Sequence, residues 1–505
     1  MPNILVFMID TQRADYLTMY GHHADTSPNL QAFADDALVF DRAYAAASST
    51  SPSHASIFTS TYPQVHGVWN RVVLDKGHDH EKTIYPSLGK RSVTLAEVMQ
   101  DGDYQTVGIC DGGNLQVNRG MAQGFDLWDS KFLGAYNRVD RAKKWFSQER
   151  DKDQPFFMFL HTYQVHTPYL PEPKFVEMFA DPDYDGPFLK AWQDAYNAYH
   201  TGPRTSGVIR DMQKKYYNPL LPKDHEGAPP EDDLTFIKAL YQAEVRQMDD
   251  AFGKLVAWLK ENDLYEDTLI VVTSDHGEEF WEHGTYGHHQ VYDPTLHVPL
   301  IIRAPGGPRG ERRPEPVELI DLMPTLVYHA DLPPPPSMQG RVLDLYRAYP
   351  DADTRDVIGE SNWPEHQVAV RVGEQTAVVF PDEKEKPGQV FDNSEGPRET
   401  VNIAGLPEGR SFLDGVQKRL DVWRDMCADW QKNHKLFPGV RNQDRLSKEE
   451  RLEMEALGYL DAAEPEEPIN KKVKPGQIVG PRSGKKRPQN PDSPPTEPEE
   501  DQPPK

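Results

Sequence analysis

Acidic and imidazole side chains stand at the ends of continuous apolar runs in this sequence. Those that follow the runs at 4–9, 156–160 and 268–272 are Asp10, His161, His166, Asp275 and His276. Such runs are typical of central strands in a sheet covered on both faces, and functional groups gather beyond the carboxyl ends of such strands. Carboxylates combined with imidazoles suit Zn²⁺ or Mn²⁺ better than Ca²⁺, which prefers oxygen ligands alone. Asp10 could instead cap the following turn, and one of the histidines could be structural.

A Ser/Thr-rich stretch, SSTSPSHASIFT at 48–59, supplies a candidate nucleophile. Pro52 suits the first turn of a helix, because its missing N–H would be unpaired there anyway. Thr50 is therefore expected at or just before a helix N-terminus, where free backbone N–H groups favour an anion. A hydroxyl held there, with a metal to lower its pKa, could attack phosphorus or sulfur. The same stretch could equally be a loop that caps an ordinary helix.

The elements expected to position these residues form an α/β fold. In residues 1–330, apolar strand-like runs alternate with helical stretches, among them a long amphipathic helix over 234–262. Residues 172–235 interrupt this alternation and are rich in aromatic residues, Pro, Asp and Lys. We interpret them as an insertion or lid that selects the substrate, since long irregular insertions in compact domains are often functional.

The sequence changes character after residue 330. Short strand-like runs separated by turn residues extend over 356–402 and are followed by a helix at about 412–433. We therefore expect residues 331–462 to form a smaller C-terminal lobe with an antiparallel sheet, ending in a helix over 445–460. Residues 463–505 are rich in Pro, Glu and Lys without periodicity, which predicts a disordered tail.

Composition restricts the partners of the protein. The 505 residues carry a formal net charge of -25, which argues against nucleic acid and against an anionic membrane surface. A small anionic substrate is still compatible with this charge, because a bound metal can reverse the local potential. The sequence has two cysteines, Cys110 and Cys427, which are far apart and argue against a disulfide framework. With no secretion signal or membrane-spanning run in the sequence, we expect a cytoplasmic location.

Several motifs, taken together and in order, resemble the sulfatase branch of the alkaline phosphatase superfamily. They are PNILVFMIDTQRAD at 2–15, TSPSHASIFTSTYPQVHG at 50–67, SDHGE at 274–278, HVPLII at 297–302, DLMPTL at 321–326 and FDNSEGPRETVNIA at 391–404. The resemblance covers residues 1 to about 460. It implies an alkaline-phosphatase-like fold with a large, mostly parallel sheet sandwiched by helices, and a metal-dependent hydrolase acting on a small anionic ester.

The resemblance also assigns roles to individual residues. The implied metal ligands are Asp10, Thr50, Asp275 and His276, the implied catalytic residues are Thr50, His166 and His288, and the implied substrate-binding residues are His54, Asn70 and His161. One metal site is expected, and a second, shared with histidines such as His66 or His288, is an alternative that spacing does not show.

The chain departs from the sulfatase pattern at several positions. His54 stands where sulfatases have Arg, Asp111 where many have Lys, and Thr11 where calcium-binding sulfatases have a second aspartate. Thr50 occupies the place of the Cys or Ser that sulfatases convert to formylglycine, and threonine does not fit that conversion. These differences favour cleavage of a phosphoric diester or phosphonate ester through Thr50. The alternatives are a sulfuric ester hydrolase without formylglycine, a phosphoryl-group transferase and an inactive binding homologue.

Overall fold

The computed structural model describes residues 1–70, 72–75, 82–131, 134–201, 213–222, 227–347, 355–383, 385–394 and 399–442. All of them belong to one compact unit, Met1–Glu467. The helix expected over 445–460 and the tail expected over 463–505 lie outside the described residues.

An eight-stranded sheet forms the centre of the fold, and its strands are β1 (Asn3–Ile9), β2 (Leu38–Tyr44), β5 (Gln105–Cys110), β6 (Leu127–Ser130), β7 (Phe156–Thr162), β8 (Thr268–Ser274), β11 (His297–Arg303) and β12 (Glu311–Glu318). Their order is β12-β2-β11-β8-β1-β7-β5-β6. Strand β11 pairs antiparallel with both of its neighbours, while the other pairs are parallel. The expected large, mostly parallel sheet is therefore confirmed.

The register of the central strands brings chemically active residues to one edge of the sheet. Ile9 lies opposite Thr162 on one side and Ser274 on the other, so the residues that follow β1, β7 and β8 are lateral neighbours. The sequence analysis placed His161 after the strand that ends at residue 160. In the structure β7 extends to Thr162, so His161 lies within the strand. The pairing with β1 extends the strand through the polar pair His161–Thr162.

Helices cover both faces of this sheet. They are α1 (Pro28–Ala34), α2 (Thr50–Thr59), α3 (Pro63–His66), α4 (Leu95–Asp101), α5 (Ala135–Gln148), α6 (Pro173–Val176), α7 (Pro187–Thr201), α8 (Glu231–Glu261), α9 (Asp293–Leu296), α10 (Leu322–His329) and α11 (Pro407–His434). Helix α8 agrees with the amphipathic helix expected over 234–262 and packs Leu240 and Phe252 into the core on one face. Helix α2 packs Ile57 and Phe58 into the core on the other face.

A second, antiparallel sheet follows in the C-terminal part, as expected from the short strand-like runs. Its strands are β13 (Val357–Ser361), β14 (Gln367–Val372), β15 (Gln375–Val379) and β16 (Gln389–Asp392), in that order. Helix α11 packs Val416, Leu420 and Trp423 against this sheet. The remaining strands are β3 (Val72–Asp75), β4 (Lys82–Ser87) and β17 (Gly439–Asn442), which form a three-stranded sheet, and the short pair β9 (Glu279–Phe280) and β10 (Tyr286–Gly287).

The described part of the region 172–235 is more regular than its composition suggested. It contains α6, α7 and a π-helical turn at Gln213–Tyr217. Helix α7 buries Phe188 and Trp192, so aromatic residues that looked like an irregular loop form a packed helix face. Among the described residues, no helix is both long enough and apolar enough to cross a bilayer.

Candidate active site

Two carboxylates and an imidazole converge where β1 and β8 end. Ligand atoms of Asp10, Asp275 and His276 all lie within 4.8 Å of one another. The strand register explains this arrangement, because Ile9 and Ser274 are paired and each is followed directly by an aspartate. His276 Nδ1 lies 2.9 Å from the carbonyl oxygen of Gly277. If Nδ1 carries the proton, it donates to that carbonyl and leaves the Nε2 lone pair directed at the carboxylates.

The carboxylates of this cluster lack the partners that buried charges normally have. Asp10 Oδ1 and Asp275 Oδ2 are buried without a hydrogen-bond donor among the described residues. Burial raises the pKa of both aspartates well above the ordinary value, and the charge on Asp10 raises the pKa of Asp275 further. Two adjacent buried carboxylates are stabilised by a cation. The donor set of the chain therefore fits a divalent metal ion.

Thr50 joins this cluster from the first position of α2. Its Oγ1 donates towards Asp10 Oδ2 at 3.5 Å and lies 3.4 Å from His276 Nε2. The helix begins at Thr50 itself, with Ser49 in extended conformation before it and Pro52 in its first turn. The expectation that Thr50 stands at a helix N-terminus is confirmed. Its hydroxyl is thus brought together with the three candidate ligands, although Thr50 and His276 are far apart in sequence.

His54 and His161 lie next to the cluster and are fully buried. His54 Nδ1 is 2.9 Å from the carbonyl oxygen of Thr50 and 3.4 Å from Asp275 Oδ2. His161 Nε2 is 3.2 Å from Asp10 Oδ2. Burial lowers the pKa of both imidazoles, so both are neutral at pH 7. Both residues contact the candidate metal ligands, and their predicted contact with substrate stays a prediction.

His166 and His288 form the other side of the site. Their ring centroids are 5.2 Å apart, and the ring of His288 is 4.5 Å from that of His276. His288 Nδ1 lies 2.9 Å from Glu278 Oε1, and Tyr169 donates its hydroxyl to the other oxygen of Glu278 at 3.2 Å. Glu278 therefore fixes the orientation of the His288 ring.

Asn70 lies next to the nucleophile helix, since its Oδ1 accepts a hydrogen bond from the backbone N–H of Ser51 at 3.3 Å. By contrast, both ring nitrogens of His66 are engaged, one with Ser56 Oγ at 3.0 Å and one with the backbone N–H of Val68 at 3.0 Å. His66 is thus placed as a structural residue, while Asn70 is at the candidate site.

Asp111, which the resemblance to sulfatases places at a Lys position, has a clear packing role. Its carboxylate accepts hydrogen bonds from Thr162 Oγ1 at 3.0 Å and from the backbone N–H groups of Tyr163 and Gly134 at 3.0 Å and 3.1 Å. The buried guanidinium of Arg138 lies 3.5 Å away. Asp111 therefore ties the end of β7 to the start of α5.

A cavity of about 140 Å³ has His166 in its lining, which includes none of Asp10, Thr50, Asp275 and His276. Its polar and aromatic lining includes Tyr136, Tyr163, Glu172, Tyr199, His200 and Glu244. Tyr199 and His200 come from α7, so the region 172–235 supplies part of the wall. Burial raises the pKa of Glu244 to about 8, although Gln164 and the backbone N–H of Leu170 donate to it.

Sequence reasoning missed several residues that the structure places at or beside the site. Glu278 is the last residue of the SDHGE motif at 274–278, but the sequence analysis gave it no role. Arg119 and Glu244 lie in segments that carry no chemical pattern, so the sequence offered no signal for them. Thr11 was noted only as a departure, yet its buried hydroxyl lacks a partner among the described residues, and its backbone N–H donates to Asp275 Oδ1 at 3.4 Å. Thr11 therefore helps to hold Asp275 through its backbone.

Comparison with protein families gives two matches that overlap in sequence. The Sulfatase family model matches residues 2–332, and the model of the N-sulphoglucosamine sulphohydrolase C-terminal region matches residues 281–425. The first match includes Asp10, Thr50, Asp275 and His276, and the second includes the antiparallel sheet β13–β16.

Known proteins with related sequences or folds span nearly the same length. An arylsulfatase of Clostridium perfringens is 23% identical over 83% of this chain and 93% of its own length. A multifunctional alkaline phosphatase superfamily protein of Trinickia caryophylli is 26% identical over 86% and 97%. The crystal structure of a phosphonate monoester hydrolase of Agrobacterium radiobacter superposes with a TM-score of 0.64 at 21% identity, covering 85% of this chain and 96% of the other. That likeness establishes a shared fold.

Proposed function

Because the chain belongs to the sulfatase family of the alkaline phosphatase superfamily, whose members hydrolyse ester bonds, we propose that it cleaves phosphoric diesters or phosphonate esters through Thr50. The observation that carries this proposal is the convergence of the Thr50 hydroxyl with Asp10, Asp275 and His276 at the start of a buried helix. A hydroxyl in this environment can serve as a nucleophile without conversion to formylglycine.

Asp10, Asp275 and His276 would hold one divalent ion, with Thr50 completing the set. The mixture of carboxylate and imidazole donors favours Zn²⁺ or Mn²⁺ over Ca²⁺. When bound, such an ion lowers the pKa of a nearby hydroxyl and offsets negative charge on the transferred group. The buried carboxylate oxygens that lack hydrogen-bond donors support this assignment.

The chain's own residues then account for both chemical steps. Thr50 Oγ1 passes its proton to Asp10 Oδ2 and forms a bond to phosphorus as the ester P–O bond breaks, and the departing oxygen takes a proton from the imidazolium form of His288 or His166. The positive end of the α2 dipole, at Thr50, stabilises charge on the non-bridging oxygens. Water next attacks the phosphorylated Thr50, releases the acid product and restores the hydroxyl. His288 is the better placed proton donor, because Glu278 fixes its ring.

The cavity beside His166 would receive the leaving group. The cavity is lined by His166 and by Tyr199 and His200 of α7, which fits an ester whose transferred group lies at Thr50 and whose alcohol extends past His166 towards α7. This arrangement supports the interpretation of the region 172–235 as the part that selects the substrate.

The test is a comparison of Thr50→Ala with Thr59→Ala, a control that removes a hydroxyl from the other end of the same helix. Each variant is assayed on four substrates with a 4-nitrophenyl leaving group: a phosphodiester, a phosphonate monoester, the phosphate monoester and the sulfate. Metal content is measured by elemental analysis. We expect Thr50→Ala to retain metal and lose essentially all turnover, and Thr59→Ala to retain turnover. Undiminished turnover of metal-containing Thr50→Ala would contradict the assignment. Preferential hydrolysis of the sulfate would identify the sulfuric ester alternative, which the arylsulfatase relative favours.

A further inference from the structure

Thr50 Oγ1 lies beside the carboxylate of Asp10 and the imidazole of His276, neither of which is a permanent cation. A transferred phosphoryl or sulfuryl group nevertheless carries negative charge that grows or redistributes in the transition state. A fixed cation from another part of the chain would stabilise that charge.

Arg119 brings such a cation to the nucleophile helix. It ends the turn Val117–Arg119 and is only 2% exposed. Its Nη2 donates to Ser51 Oγ at 2.6 Å and to the carbonyl oxygen of Trp69 at 3.3 Å. The guanidinium carbon lies 5.9 Å from the centre of the Tyr85 ring. Arg119 is thus held against the residue that directly follows Thr50.

Ser51 connects this guanidinium with the reacting end of the helix. Its Oγ accepts from Arg119, so its own hydroxyl hydrogen is directed elsewhere, and its backbone N–H faces Asn70 Oδ1 at 3.3 Å. A hydroxyl that accepts from a cation is polarised and becomes a stronger donor. Ser51, Asn70 and Arg119 therefore form one hydrogen-bonded group beside the nucleophile.

We propose that Arg119, acting through Ser51, is a specificity-determining residue that stabilises the non-bridging oxygens of the transferred group. This inference rests on the proposed ester hydrolysis at Thr50. Its consequence is a dependence on substrate charge: Arg119 contributes more when the transferred group carries two negative charges than when it carries one, because the interaction scales with charge.

The experiment compares Arg119→Gln with Arg303→Gln. Arg303 is also buried, but it lies at the opposite end of the sheet, where it contacts the carbonyl oxygen of Tyr265. The substrates are 4-nitrophenyl phosphate and methyl 4-nitrophenyl phosphate, which share a leaving group and differ in charge. We expect Arg119→Gln to lower kcat/KM about tenfold more for the dianion than for the monoanion, on the scale of one charged hydrogen bond. Arg303→Gln should leave the ratio unchanged.

Ser51→Ala provides a second variant in case Arg119→Gln does not fold, and we expect a smaller loss in the same direction. Equal loss on both esters in the Arg119 and Ser51 variants, together with a lowered melting temperature, would mean that Arg119 only supports the fold and would overturn the inference.

Binding of inorganic phosphate to the full-length, metal-loaded protein separates this inference from the proposed hydrolysis. We expect Arg119→Gln to weaken phosphate binding about tenfold to hundredfold. If the wild-type protein hydrolyses none of the esters but still binds phosphate in an Arg119-dependent way, the hydrolase assignment fails and the role of Arg119 stands. If hydrolysis occurs and phosphate binding is unaffected by Arg119→Gln, the role of Arg119 fails and the hydrolase assignment stands.

Discussion

Replacing Asp275 by Asn should stabilise the metal-free protein and remove its response to metal. Ligand atoms of Asp10 and Asp275 lie within 4.8 Å of each other, and like charges at that distance repel by about 3.5 kcal/mol at an effective dielectric constant of about 20. Burial favours protonation of both aspartates, which reduces the repulsion between them. We therefore expect Asp275→Asn to increase the free energy of unfolding of the metal-free protein by about 1–3 kcal/mol. For a domain of this size that gain corresponds to roughly 1–3 °C in melting temperature.

The asparagine can keep the hydrogen bonds that Asp275 makes. Its Oδ1 accepts from the backbone N–H of His276 at 3.0 Å, and an amide nitrogen in place of Oδ2 would face His276 Nε2 at 3.4 Å, an available acceptor. Loss of a charged ligand should, however, weaken metal binding. Wild-type protein at a metal concentration about a hundredfold above Kd gains about 2.7 kcal/mol, and the variant should gain far less.

The assay is thermal unfolding at a fixed scan rate, with chelator and with added Zn²⁺ or Mn²⁺. Asp293→Asn serves as the control, because the buried Asp293 accepts from Arg371 Nε at 2.9 Å and so already has a cationic partner. Asp293→Asn should have a lower melting temperature than the wild type, both with and without metal. A lower melting temperature of metal-free Asp275→Asn, combined with an undiminished metal response, would refute the view that these carboxylates form a cation site.

Two other predictions concern Glu244, in the wall of the cavity, and His288, at the candidate site. Burial raises the pKa of Glu244 to about 8, so the stability that its protonated form contributes is complete below pH 4.5 and is lost as pH rises through 8. The melting temperature of Glu244→Gln minus that of the wild type should therefore increase between pH 5 and pH 9. A difference that stays constant with pH would contradict a buried neutral carboxyl. If His288 protonates the departing oxygen, His288→Gln should slow the hydrolysis of alkyl esters by about a hundredfold or more. It should slow the hydrolysis of 4-nitrophenyl esters far less, because general acid catalysis matters most for poor leaving groups. Equal losses on both ester types would assign His288 to binding alone.

The central sheet could be predicted from sequence because its strands are continuous apolar runs. Each of β1, β7 and β8 is buried on both faces, and a polar residue marks or follows its carboxyl end. The candidate metal ligands Asp10 and Asp275 could be found for the same reason. Helix α8 was predictable from its amphipathic spacing, and Thr50 could be placed at a helix start because Pro52 fits a first helical turn.

Other parts of the site depend on long-range contacts that carry no local pattern. Glu244 lines the cavity from the middle of α8. Nothing in its position along the sequence distinguishes it from an ordinary glutamate in a helix. Arg119 reaches Ser51 from a short turn between glycine-rich segments. The helix α7 was obscured by a composition rich in Pro, Asp and aromatic residues, since local propensity is overridden by the burial of Phe188 and Trp192. Such contacts arise only when tertiary packing brings distant segments together.

The charge distribution of the site links the substitutions at His54 and Asp111. Arginine at position 54 would bring a permanent cation against Asp275, whereas the neutral imidazole of His54 leaves that carboxylate without a fixed positive partner. Asp111 is itself engaged with Arg138 and two backbone N–H groups, so it adds no cation. Under the proposals made for Thr50 and Arg119, an anionic transition state is stabilised by a metal ion held by the aspartates, by the helix N-terminus and by Arg119. A site built in this way is expected to respond more strongly to metal removal than one that retains fixed cations at both positions.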